Sequence, residues 1–280
     1  MTRIWKLNGK YEIINAEQFG EIKNTSLDEI SSLLPGGAYT TFRTYEHFKV
    51  VSLTDHFKRL EETAALAGKS LKLDYQKLRE TIREIINSET APDLRIRITV
   101  DLEDKPGLIY ISYESLVNPG KEVYDVGVNT ITINLHRNNP KAKLTGFISE
   151  SKVLKTKLQG NLNEVLMVNN QQEILEGLTS NFYGVIENRI LTADNGVLMG
   201  ITRAAVLDEA KKFGFEVVYR PIKLSELDLL EEAFLTSSSR IVLPVRSIDA
   251  QIIGNGKPGV ITLKLMDLMK KRLVAEYEEL

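Results

Sequence analysis

The chain of 280 residues contains no cysteine. Disulfides, thiolate nucleophiles and cysteine-held metals are therefore excluded. Histidine is scarce. His47, His56 and His136 are the only three and lie far apart in sequence, so no histidine-based metal site is expected. No apolar run approaches the roughly 18 residues of a membrane-crossing helix. The opening segment MTRIWKLNGKYEII lacks the apolar stretch of a secretory signal. Basic residues (36) and acidic residues (38) nearly cancel, and a net charge of −2 offers no general attraction to nucleic acid. These absences lead us to expect a cytoplasmic protein without a membrane, nucleic-acid or metal partner.

Hydrophobic residues make up 42% and charged residues 26%, a balance that folds rather than stays disordered. The length suits two domains. Turn chemistry at Asn8-Gly9 predicts a hairpin of Ile4–Leu7 with Tyr11–Ile14. Ser26 and Pro35 bracket a helix over Leu27–Leu34. Ala38–Thr44 reads as a strand with Lys49–Leu53 as its partner. Thr54 or Asp55 then caps a helix carrying Phe57, Leu60 and Ala64, which Gly68 ends. A helix over Tyr75–Ile86 and strands over Leu94–Val100 and Leu108–Ser112 follow.

Asn118-Pro119-Gly120 marks a linker. Beyond it we expect strands over Val126–Leu135, Val165–Val168, Phe182–Ile186, Ile190–Thr192, Ala233–Thr236 and Ile241–Pro244. Helices are expected over Thr202–Phe213 and from Val260. The absence of regular βαβ alternation predicts an α+β (mixed α/β) protein with antiparallel or mixed sheets. The expected domains are residues 1–117, a linker at 118–122, and residues 123–280.

Five segments could carry chemistry. Gly200 directly precedes a helix, and a glycine-led helix start presents unpaired N–H groups suited to a phosphate. Thr202 could add a hydroxyl there or serve only as a cap. FLTSSSRIVLPV sets three serines between apolar runs, either an oxyanion-binding loop or a plain polar turn. His56 and Arg59 share a helix face, and arginine suits phosphate. HRNNPKAKLTG offers Lys141 and Lys143, and nothing local marks either as reactive. Glu176 ends an apolar run, as a partner for a buried cation or as a turn residue.

In this order, the segments resemble the class IV pyridoxal-phosphate enzymes of fold type IV. That family includes branched-chain and D-amino-acid aminotransferases and aminodeoxychorismate lyases. The resemblance runs from about Gly37 to Val260 and is strongest in EGLTSNFYGVIENRILTADNGVLMGITR, residues 176–203. TDHFKRLEETA, EEAFLTSSSRIVLPV and IIGNGKPGVIT resemble further family segments.

The resemblance implies pyridoxal 5'-phosphate as cofactor and Lys143 as the Schiff-base lysine, set 21 residues before Glu164 as in relatives. It implies Arg59, the backbone of Ile201 and Thr202, and Ser238 as the phosphate cup, with Glu176 facing the pyridine nitrogen. Tyr39 and Arg43 hold pocket-lining positions. Ser238 and Ser239 match positions that help receive the substrate carboxylate. The chain departs from the family at Leu178, at Tyr39-Thr40, in the spacer between Thr192 and Leu198, and at Thr145-Gly146-Phe147-Ile148, where no tyrosine follows the lysine. The departures bear on substrate rather than on cofactor.

The expected activity is transfer of an amino group between an amino acid with an apolar, branched-chain-like side chain and a 2-oxo acid, by a homodimer. The alternative is aminodeoxychorismate lyase, which the Thr40-Thr41-x-Arg43 run resembles. A remoter one is a non-catalytic member of the fold.

Overall fold

The computed structural model describes residues 3–14 and 25–280. The chain forms two compact units: Met1–Val117 with Ala142–Lys152 and Glu276–Leu280, and Asn118–Lys141 with Val153–Ala275. The sequence division at 118–122 assigns 142–152 and 276–280 to the later domain. By contacts both segments group with the first unit.

In the first unit, β1 (Arg3–Leu7), β2 (Ile13–Ile14), α1 (Leu27–Ser31), β3 (Gly37–Arg43), β4 (Lys49–Val50), α2 (Leu53–Leu66), α3 (Tyr75–Ile86), β5 (Leu94–Asp101) and β6 (Ile109–Ser115) follow in order. Five strands form an antiparallel sheet, β2-β1-β6-β5-β3. Period-2 alternation places Ala38, Phe42, Ile96, Ile98, Val100, Ile109 and Ile111 in one core with Phe57, Leu60 and Ala64 of α2 and Leu78, Ile82 and Ile86 of α3. Each fully buried side chain of this size stabilises the fold by about 1.5–3 kcal/mol.

Ser26 starts α1 as expected, and the structure shows it in a capping box with Glu29, but the helix stops at Ser31 rather than Leu34. The partner assigned to β3 is wrong. β3 pairs with β5, whereas β4 is two residues long and pairs with Glu278–Glu279. Ser52 takes a left-handed φ of 55° and Leu53 already starts α2, so the apolar run Val50–Leu53 belongs to two elements. Ser52, not Thr54 or Asp55, is therefore the N-cap residue.

The second unit contains α4 (Lys121–Val126), β7 (Val128–Asn134), α5 (Gly146–Lys155, begun in the first unit), β8 (Leu162–Val168), β9 (Glu173–Gly177), β10 (Asn181–Ile186), β11 (Arg189–Thr192), α6 (Ile201–Lys212), β12 (Val217–Tyr219), β13 (Ile222–Lys223), β14 (Glu232–Ser237), β15 (Ile241–Ile248), β16 (Gln251–Ile252) and α7 (Val260–Ala275). Its sheet is mixed. β7 runs parallel to β8 and β15, and most other pairs are antiparallel. A single β9–β10 pairing closes the ring β10-β14-β15-β7-β8-β9. The two short helices α4 and α5 were not expected. α4 buries no side chain and so leaves no apolar period to read, and α5 buries only Phe147, Ile148 and Ser151.

Candidate active site

Lys143 belongs to the first unit. Residues 143–145 lie along the edge of β3. Tyr39 N donates to Lys143 O at 2.9 Å, Thr145 N to Gly37 O at 2.9 Å, and Gly37 N to Thr145 Oγ1 at 2.9 Å. Lys143 N donates to Thr63 Oγ1 of α2 at 3.3 Å. A polar run with no local signal is thus pinned to a strand and a helix by long-range bonds. The Lys143 ammonium lies 4.9 Å from the centroid of the buried Tyr39 ring, a cation–π distance. Lys143 is half-buried, whereas its rival Lys141 is exposed.

Arg59 is half-buried on α2, and loss of water pulls its pKa below the ordinary arginine value despite Glu62 and Asp55. One turn earlier, His56 is buried with Nδ1 2.7 Å from Thr40 Oγ1. Burial, reinforced by the charges of Arg59 and Lys143, pushes His56 down to about 3, so it is neutral at pH 7. Thr40, one of the departures from the family pattern, is the partner that satisfies this neutral ring. Arg43 sits four residues along β3 from Tyr39. It pairs with Asp93 and lies over the Tyr45 ring at 4.4 Å.

The second unit holds Glu176, the start of α6 and the serine turn. Glu176 on β9 stands opposite Asn181 on β10, which stands opposite Thr236 on β14. Glu176 is 1% exposed. Its Oε1 is 2.8 Å from Arg137 Nε, and its Oε2 accepts Leu198 N at 3.1 Å and Asn181 Nδ2 at 3.3 Å. The same Asn181 amide donates to Leu198 O at 2.7 Å, tying the acid to the approach to α6.

Gly200, not Thr202, is the N-cap residue of α6, and among the described residues no side chain caps that helix. Ile201 and Thr202 are its first two residues. Their N–H groups, which no intrahelical bond can use, suit an anion. A Cβ built on Gly200 would lie 2.3 Å from Asn181 Oδ1, so glycine lets this asparagine pack against the helix start. Ser238 and Ser239 are half-buried in the turn from β14 to β15.

The predicted residues are divided between the units, Tyr39, Arg43, Arg59 and Lys143 in one and Glu176, Ile201, Thr202, Ser238 and Ser239 in the other. Sequence reasoning missed Arg137 and Asn181. The only available signal was an arginine six residues before the lysine, with nothing to pair it to Glu176. Among the described residues no cluster suits a metal ion and no helix is long and apolar enough to cross a membrane.

The family model for amino-transferase class IV matches residues 37–248. A protein of Aquifex aeolicus, named a probable branched-chain-amino-acid aminotransferase, is 30% identical over 239 residues, 79% of this chain and 77% of its own. The D-alanine aminotransferase of Bacillus licheniformis is 25% identical over 252 residues, 86% of this chain and 88% of its own. The crystal structure of a Thermotoga maritima protein assigned to the branched-chain amino acid aminotransferases superimposes with a TM-score of 0.79 at 26% identity. That match covers 98% of this chain and 96% of the other.

Proposed function

Since the chain belongs to the class IV aminotransferases, a pyridoxal-phosphate-dependent family, we propose that Lys143 carries the cofactor and that the amino donor has an apolar, branched-chain-like side chain. The observation that supports the lysine assignment best is its setting. Lys143 is half-buried against Tyr39 and pinned to β3 and α2, whereas Lys141 is exposed.

The residues present fit the cofactor. The uncapped start of α6 at Ile201 and Thr202 suits its phosphate, with Arg59 and Ser238 as further donors. Glu176, fixed by Arg137, Asn181 and Leu198 N, is a buried carboxylate able to hold a proton on a pyridine nitrogen. When bound, pyridoxal phosphate supplies the electron sink that makes a substrate α-proton acidic.

The chain's own groups then have defined tasks. Lys143 Nζ would hold the cofactor and, as a free amine, would take the substrate α-proton and hand it on. Ser238 and Ser239 receive the substrate carboxylate. Tyr39 and Arg43 line the pocket. In the net reaction one amino acid gives up its amino group and becomes a 2-oxo acid, while a second 2-oxo acid receives that group and becomes an amino acid. The names of the relatives, all aminotransferases, favour transfer over pyruvate elimination. We also propose that the protein is a homodimer, which light scattering would test.

The decisive assay supplies purified enzyme and cofactor with 2-oxoglutarate and, in turn, leucine, valine, D-alanine and aminodeoxychorismate. Glutamate formation with leucine or valine is the expected result. Turnover confined to D-alanine would replace the donor, and pyruvate release from aminodeoxychorismate would replace the reaction.

A further inference from the structure

The serine turn is closed by Arg240, to which no role has been given. Its side chain folds back into the second unit. Arg240 Nη2 donates to Glu164 Oε2 at 2.8 Å and to Thr179 Oγ1 at 3.0 Å. Its Nε and its backbone N both donate to Ser237 Oγ, at 3.3 and 3.4 Å. Its carbonyl accepts Tyr124 Oη at 3.1 Å. The side chain of Glu164 is 2% exposed, and the same Oε2 also accepts Thr179 Oγ1 at 2.6 Å and Ser180 Oγ at 3.0 Å. One buried carboxylate on β8 thus gathers two turns, 178–180 after Glu176 and 237–240 after β14.

The second turn needs such a hold. Ile241, the residue after Arg240, has a φ of 60°. A β-branched residue adopts that left-handed conformation only when its surroundings impose it. Constrained backbone of this kind is found where a loop must present groups in one shape. Planar guanidinium with several donors can fix such a turn at several points at once, which a lysine cannot.

We propose that Arg240, through its ion pair with Glu164, is the positioning residue that holds the Ser237–Ser239 turn in the shape that receives the substrate's α-carboxylate. The proposal rests on the reading above that Ser238 and Ser239 form that subsite. It adds a determinant of carboxylate affinity outside the groups that touch substrate.

The test splits a leucine-like substrate into its two recognition halves and uses the holoenzyme. 4-Methylpentanoate keeps the carboxylate and lacks the amine, and its binding is read by calorimetry. 3-Methylbutylamine keeps the amine and lacks the carboxylate, and its binding is read from the cofactor's visible absorbance. R240Q is expected to weaken 4-methylpentanoate at least about tenfold and to leave 3-methylbutylamine within about twofold. E164Q is expected to act in the same direction, and R240K to recover part of the loss. These two variants carry the test if R240Q does not fold.

Unchanged binding of the acid by R240Q, or equal loss of both probes, overturns the positioning role. S239D, which sets a like charge in the subsite, separates the two layers of the argument. If S239D abolishes acid binding and R240Q does not weaken it, the clamp is wrong and the serine assignment stands. If S239D leaves acid binding unchanged, the serine assignment falls and the proposal with it.

Discussion

Glu176 and Arg137 meet at 2.8 Å, Oε1 to Nε, with their side chains 2% and 6% exposed. Arg137 Nη2 also reaches Leu178 O at 3.4 Å, so the cation grips both the acid and the turn that follows it. Removing one partner of a buried pair leaves the other charge uncompensated, typically at a cost of about 3–5 kcal/mol.

R137L should therefore destabilise the protein by about 3 kcal/mol, and R137L with E176Q by less than the two single changes added together. Urea unfolding of the four proteins measures this cycle. Strict additivity would mean that the pair is not coupled.

E176Q alone should keep the cofactor, because the donors proposed for the phosphate lie elsewhere, yet slow proton abstraction by about 10²-fold or more. Single-turnover kinetics with leucine report the step directly. An unchanged rate would remove Glu176 from the pyridine nitrogen.

K143A should lose the visible absorbance of lysine-bound cofactor and nearly all turnover, a fall of at least about 10²-fold. K141A should retain both, since Lys141 is exposed. If the two variants exchange these phenotypes, the lysine assignment moves to Lys141.

His56 sets a pH dependence of stability. Its folded value of about 3 lies below the ordinary 6.5, so the folded form is neutral where the unfolded form takes up a proton. The contribution is fully present above about pH 6.5 and is lost as pH falls from there towards 3. Its limiting slope is about 1.4 kcal/mol per pH unit. H56N should flatten the decline in unfolding free energy between about pH 6.5 and pH 4.5. Equal slopes in variant and parent would assign the acid sensitivity to other groups.

G200A keeps a backbone conformation open to alanine, φ −63° and ψ 141°, and so isolates a steric effect. The new Cβ would press on Asn181 Oδ1 at 2.3 Å, disturbing both the helix start and the amide that holds Glu176. Cofactor affinity should fall about tenfold by equilibrium dialysis. Full retention would count against the proposed anion site at the start of α6.

Several elements were decided locally and could be read without tertiary information. Tyr75–Ile86 carries its own apolar period and an Asp74 cap, and the helix has the expected ends. Ser26 and Glu29 form their capping box within four residues. Gly200 before Ile201 marks a helix start that depends on nothing distant. What failed depended on partners remote in sequence. Lys49–Leu53 looked like a neighbour for β3, but strand pairing is settled by which edges meet, and β5, more than fifty residues away, won. The family resemblance named Lys143 and Glu176, while their settings came from Thr63, Tyr39, Arg137 and Asn181. Periodicity records how one segment buries its own face. Hydrogen bonds and ion pairs between distant segments leave no period, so only the folded chain could decide which cation meets Glu176 and which lysine is half-buried.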